Sequence, residues 1–141
     1  MSRLMSHSLV KIDDKGRLVL PAAHRSRYEE GAILSFRNDH IAIYEPVEWD
    51  SFVLQLRDNR INGQMTREFF NWVLMNTCDP KVDSAGRVLL PTYMREALKL
   101  DREALVGGNF EYLGIYPPDY VTTISPRIAE QANDVINRLG L

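Results

Sequence analysis

Two carboxylates and two arginines stand out in this chain for their spacing: Asp13 with Arg17, and Asp83 with Arg87. A pair of carboxylates suggests general acid–base work, but neither Asp has an activated nucleophile or a base beside it. His7, His24 and His40 show no metal-ligand spacing such as His-x-x-x-His. The single Cys78 excludes an intramolecular disulfide and a multi-cysteine metal site within one chain. No glycine-rich phosphate loop of the Walker or Rossmann type is present. These residues therefore predict no enzyme, no cofactor and no metal. The arginines offer different chemistry. A guanidinium can contact DNA phosphate or a guanine edge, or pair with the Asp of its own turn for about 0–1 kcal/mol if exposed.

The same residues belong to a repeat. Lys11 to Pro21 aligns with Lys81 to Pro91 at an offset of seventy, and Arg25 then matches Arg95. Seven pairs are identical: Lys11/Lys81, Asp13/Asp83, Gly16/Gly86, Arg17/Arg87, Leu20/Leu90, Pro21/Pro91 and Arg25/Arg95. Further on the offset becomes seventy-two, with Ala32 on Ala104, Ile43-Tyr44 on Ile115-Tyr116, and Pro46 on Pro118. Two copies of one unit flank an insert.

Each copy reads as β-turn-β-helix-β-β. Asp13-Asp14-Lys15-Gly16 has Asp at the first and Gly at the fourth position of a type I turn, flanked by strands Leu9–Ile12 and Arg17–Leu20. Pro21 and Pro91 stop the second strand of each pair and can begin a short helix. Two short strands follow in each copy, 32–36 with 41–44 and 104–106 with 112–116. In the insert, Trp49, Phe52, Val53 and Leu56 share one helical face, Asn62-Gly63 breaks it, and a second helix runs from Thr66. Ser125 as N-cap and Pro126 as first residue predict a last helix with Ile128, Ala132, Val135 and Leu139 on one face. The ordinary fate of such stripes is intramolecular core; packing between subunits is the alternative. The expected units are 7–50, an insert 51–78, 79–122 and a terminal helix 123–141. A unit of about forty residues cannot bury much core alone, so the copies must pair.

Length and composition agree with one compact unit or two intertwined small ones: 141 residues, 45% hydrophobic and 26% charged. A net charge of −2 rules out a generally basic, sequence-blind DNA binder. The charge is uneven, however. Residues through Tyr28 carry +4 and the remainder −6; Lys11–Tyr28 carries +3 against +1 for Lys81–Leu98. The opening Met-Ser-Arg-Leu-Met-Ser-His-Ser lacks a signal-peptide block, and no apolar run approaches a membrane span. A cytoplasmic location without membrane partners is expected.

The two Asp-x-x-Gly-Arg-x-x-x-Pro-x-x-x-Arg motifs, Asp13 to Arg25 and Asp83 to Arg95, resemble the MraZ family of bacterial transcription regulators, linked to the division and cell-wall gene cluster. Chain length, the helical insert and Gly107-Gly108-Asn109-Phe110 also look like that family, so the resemblance spans the chain. One motif would suggest only the broader AbrB-like (SpoVT-AbrB) group. The resemblance implies a mainly β, α+β fold: a swapped-hairpin, double-split β-barrel formed by two AbrB-like halves. It also implies a ring-shaped homo-oligomer that binds repeated double-stranded DNA boxes upstream of its own operon, at the nucleoid, with no small-molecule substrate. Leu4, Ser6 and Ser8 depart from the aromatic, Gly, aromatic opening common in the family, and Ala85 replaces the Lys of the first motif.

The charge balance and the resemblance together put the first copy on DNA, with the second mainly completing the barrel. The expected contacts are Arg17 first, then Lys15 at the turn, with Lys11, Arg25 and Arg3 as phosphate contacts. A rival reading is an AbrB-like antitoxin that holds a partner protein; such proteins usually have one motif and a disordered tail.

Overall fold

In a computed structural model describing residues 3–141, the two turns close as their Asp and Gly positions require. The Gly16 N–H donates to the Asp13 carbonyl and the Gly86 N–H to the Asp83 carbonyl, each at 3.0 Å. Gly16 and Gly86 take φ of +83° and +76°, a region that Cβ-bearing residues avoid. The strands on either side of a turn do not form a simple hairpin. In the first copy, β1 (His7–Lys11) and β2 (Arg17–Val19) share only the isolated Ile12–Leu18 bridge. β2 instead pairs antiparallel with β6 (Arg87–Leu89), with Leu18 opposite Val88. β1 pairs with β7 (Glu103–Gly108), His7 opposite Gly107 and Lys11 opposite Glu103. Both arms of the first hairpin have found partners in the second copy.

The reason is burial. β2 and β6 are three residues long, and their inward side chains form half a core layer each. Exchange brings Leu18, Leu20, Val88 and Leu90 together at 0–1% exposure, worth about 1.5–3 kcal/mol per buried side chain. Around this ribbon lies a six-stranded antiparallel sheet in the order β1-β7-β8-β4-β3-β5. Its remaining strands are β3 (Ile33–Phe36), β4 (Ile41–Tyr44), β5 (Thr77–Cys78) and β8 (Leu113–Tyr116). Sheet and ribbon enclose one core, and the sheet stays open at β1 and β5. The fold is the α+β, swapped-hairpin split barrel that the resemblance implies.

The helices are α1 (Pro46–Ile61), α2 (Arg67–Met75), α3 (Thr92–Ala97), α4 (Tyr120–Thr123) and α5 (Ser125–Arg138). α1 docks through its expected stripe: Trp49 and Phe52 each lie 5.4 Å from the Tyr44 ring, and Leu56 is buried. Arg37 lies 4.5 Å from the Phe52 ring and donates to the Tyr44 hydroxyl at 3.0 Å, closing the seam between sheet and helix. Thr66 caps α2 by accepting from the Phe69 N–H.

Several expectations change. The proline of each motif does not begin a helix. Pro91 is the N-cap of α3, and in the first copy the helical turn is a 3-10 turn, Arg25–Tyr28. Tyr28 is fully buried there, its hydroxyl donating to the Ile43 carbonyl at 3.0 Å, and burial raises its ionisation well above the ordinary range. Ser125 is not an N-cap: α4 runs almost directly into α5 through Ile124, whose helical backbone (φ −93°, ψ −47°) leaves no extended cap residue. The stripe on α5 is not core. No residue of α5 is buried, and Ile128, Val135 and Leu139 are 54%, 45% and 66% exposed. Thr77–Cys78, at the end of the helical insert, joins the sheet edge as β5 against β3.

The atypical start of the chain has a local consequence. Leu4 exchanges two backbone bonds with Phe110, and Ser6 accepts from the Gly108 N–H at 2.8 Å, extending β1 in the same register. Ser6 does so at φ +65°, where a Cβ is costly. Ser6→Gly should therefore stabilise the protein by about 0.5–1 kcal/mol, and Ser6→Val should destabilise it; denaturant titration checks both.

Candidate nucleic-acid interface

Each Asp of the two turns is engaged through both carboxylate oxygens. Asp13 Oδ1 accepts from the Lys15 N–H at 3.0 Å and the Arg17 N–H at 2.9 Å, while Oδ2 accepts from Arg17 Nε at 2.7 Å. The second turn repeats this: Asp83 Oδ1 accepts from the Ala85 and Arg87 N–H groups at 3.0 and 2.8 Å, and Oδ2 from Arg87 Nε at 2.7 Å. The backbone N–H of the arginine, then its side chain, hold each carboxyl below the usual Asp value. The Asp residues are turn-builders and anchors.

The ion pair and DNA contact are compatible roles for these arginines. Asp13 and Asp83 occupy Nε, and no other protein group bonds either guanidinium among the described residues. The terminal nitrogens keep their donors, on side chains 29% and 35% exposed. A carboxylate holding Nε fixes the plane of the fork while leaving its outer edge free, the arrangement needed for bidentate reading of a guanine or a phosphate.

The β2–β6 ribbon brings the two arginines together. Alternation sends Leu18, Leu20, Val88 and Leu90 inward and Arg17, Val19, Arg87 and Leu89 outward. Arg17 lies opposite Leu89 and Arg87 opposite Val19. The two are thus diagonal neighbours on one face, roughly 7–8 Å apart, related by a local twofold through Leu18 and Val88.

The other expected contacts divide. Lys15 is exposed at the tip of the first turn, one residue from Gly16. Lys11 is exposed at the end of β1 nearest that turn, across from Glu103. Arg3 is exposed too, but at the opposite end of the extended β1, beside the Leu4–Phe110 bridge and roughly 25 Å from Lys11 along the strand. Arg25 is half-buried: its Nη2 donates to the Leu20 carbonyl at 3.1 Å, and its Nε is buried without a hydrogen-bond partner. Lys15 and Arg17 thus belong to the first turn, Lys11 to the end of β1 that leads into it, and Arg3 to the far end of that strand. Among the described residues, no group of three or more His, Cys, Asp or Glu could hold a metal ion, and no helix is long and apolar enough to cross a membrane.

A family model described as "MraZ protein, putative antitoxin-like" matches residues 4–70 and 73–137. The chain belongs to the MraZ family. Relatives named "Transcriptional regulator MraZ" include one from Neisseria meningitidis serogroup C, 35% identical over 79% of this chain and 77% of that protein. The Desulfitobacterium hafniense protein of that name is 30% identical, over 97% of this chain and 99% of its own length. The one from Thermomicrobium roseum is 29% identical over 92% of each.

For a MraZ-family chain, counting charge copy by copy hides the spatial grouping. Arg25, counted with the first copy, lies against Gly86 of the second turn, and Arg95, counted with the second, lies against Gly16 of the first. The same count passes over Arg87, although its motif spacing equals that of Arg17 and that equality is the signal that points to it. The depressed Asp13 and Asp83 values fix a pH dependence. Their stabilisation is complete above the ordinary carboxyl value of 3.8 and is lost as pH falls through their lower folded values. The Asp13→Asn, Asp83→Asn double variant should melt below the parent at pH 7, with the gap narrowing as pH falls below 3.8; melting curves from pH 7 into the acid range provide the check.

Proposed function

We propose that this protein is a sequence-specific, DNA-binding transcriptional regulator that acts as a homo-oligomer on repeated boxes, in the promoter of the division and cell-wall gene cluster. The observation that carries this reading is the outer face of the ribbon, with Arg17 and Arg87 each anchored at Nε by an Asp. A two-stranded β-ribbon fits the major groove of B-DNA, where arginine forks pair with guanine. In this reading Arg17 reads a base edge, and Lys15 and Lys11 contact phosphate. Lys15 distinguishes the first turn from the second, which has Ala85, so the first turn makes the closer approach. Arg25 and Arg3 have weaker support, the first because its guanidinium is engaged inside the fold and the second because of its distance.

A single acidic subunit with so small a basic face binds DNA weakly at physiological salt. Copies arrayed at regular spacing on repeated boxes gain by effective concentration. The exposed apolar residues of α5, together with Val47, Leu54, Phe69 and Met75 on α1 and α2, support assembly of such an array, a ring of identical subunits. Units 7–50 and 79–122 then form the DNA-binding body, with 51–78 and 123–141 serving assembly, in the nucleoid.

Gel shifts with DNA from upstream of the protein's own gene test this at controlled salt. Arg17→Ala should lose sequence preference at a cost of about 1–3 kcal/mol while the oligomer survives. Full retention of preference removes Arg17 from the interface. The words "antitoxin-like" in the family's description keep a second reading in view, a module that holds a partner protein. It predicts a toxin gene beside this one, whose product the protein holds in a pull-down.

A further inference from the structure

Gly16 and Gly86 each lie under an arginine of the opposite copy. A Cβ on Gly16 would stand 2.6 Å from Arg95 Cζ, and one on Gly86 would collide with Arg25 Nε. Both approaches are far closer than any side chain allows, so the guanidinium groups rest on bare backbone. Each arginine is tethered within its own copy: Arg95 Nε donates to the Leu90 carbonyl at 3.3 Å and Nη2 to Thr92 Oγ1 at 3.2 Å, while Arg25 Nη2 donates to the Leu20 carbonyl. The same glycines are gripped again from across the ribbon. The Leu90 N–H donates to the Gly16 carbonyl at 3.0 Å and the Leu20 N–H to the Gly86 carbonyl at 2.9 Å.

We infer that Arg95 is the positioning residue of the first turn and Arg25 that of the second, each arginine setting the turn that carries the other copy's DNA contacts. This rests on the DNA-binding reading above. Gly16 stands between Lys15 and Arg17, so a turn released from Arg95 moves both contacts together. Asp13 fixes the Arg17 fork relative to its turn; Arg95 and Leu90 fix that turn relative to the ribbon. The planar guanidinium suits this role because it can lie flat on the glycine while donating in its own plane. An ammonium in its place would keep the charge and lose the flat contact.

The test compares wild type with Arg95→Ala, Arg95→Lys and Arg25→Ala as intact oligomers. It measures binding to upstream repeat DNA and to a scrambled duplex across a salt series, together with amide exchange of segments 13–17 and 83–87 by mass spectrometry without DNA. Arg95→Ala and Arg95→Lys should both reduce the preference for repeat over scrambled DNA by roughly 2- to 100-fold, with the salt slope unchanged. Exchange should rise in 13–17, and in Arg25→Ala it should rise in 83–87 instead. A salt slope reduced by about one with preference intact would make Arg95 a phosphate contact and overturn the inference. So would full rescue by Lys, or exchange that rises evenly along the chain. Absence of preference in wild type would reject the DNA-binding reading alone, because the crossed exchange pattern tests the positioning independently.

Discussion

β2 and β6 are strands of three residues, too short to enclose a core layer alone, and each buries its apolar side chains against the other. Their pairing places Leu18 against Val88 at the centre of the molecule and leaves β1 and β7 to pair outside them. Neither copy has enough apolar surface to persist alone. The sheet order follows from this exchange: β7 and β8 of the second copy lie between β1 and β4 of the first. The backbone of the turns obeys the same constraint, since each turn glycine donates to its own copy and accepts from the other.

Charge is organised on that frame. Each motif supplies one carboxylate and two arginines, and the fold sends the two arginines to different places. The nearer, Arg17 or Arg87, stays with its own turn and its own Asp. The farther, Arg25 or Arg95, crosses to the opposite turn and covers its glycine. A surface ion pair like that of Arg17 with Asp13 adds little stability, but it restricts the orientation of the guanidinium, as the proposed reading of a base edge requires. Low net charge and ordered arginines belong together here. Under the proposed function, holding a few contacts in place would do more for binding than adding charge.

Much of the fold was legible locally. The Asp and Gly of each turn, the strand after it, Thr66 at the start of α2 and the Trp49/Phe52 face of α1 follow from spacing and turn chemistry over a few residues. The errors share a different origin. Ser125 has the right side chain for an N-cap, but α4 already occupies the preceding backbone. Ile128, Val135 and Leu139 form a sound amphipathic stripe, and nothing in a stripe says whether its partner lies in the same chain. Thr77-Cys78 is too short to read as a strand without knowing that β3 has a free edge.

The sequence by itself determined the repeat, the Asp-to-Gly turn of each copy and the α+β class, and offered the turn Asp as one of two partners for each arginine. The turns depend on interactions within a few residues, and the repeat is read from residue identity at an offset of seventy. Tertiary structure alone decided which arginine serves which turn, and that Arg17 and Arg87 share one face. Those relations join residues some seventy positions apart through strand exchange. Two identical motifs fit an internal hairpin and a swapped one equally well in sequence. Only joint burial of Leu18, Leu20, Val88 and Leu90 selects the swap, because the apolar faces of such short strands stay wet until they meet.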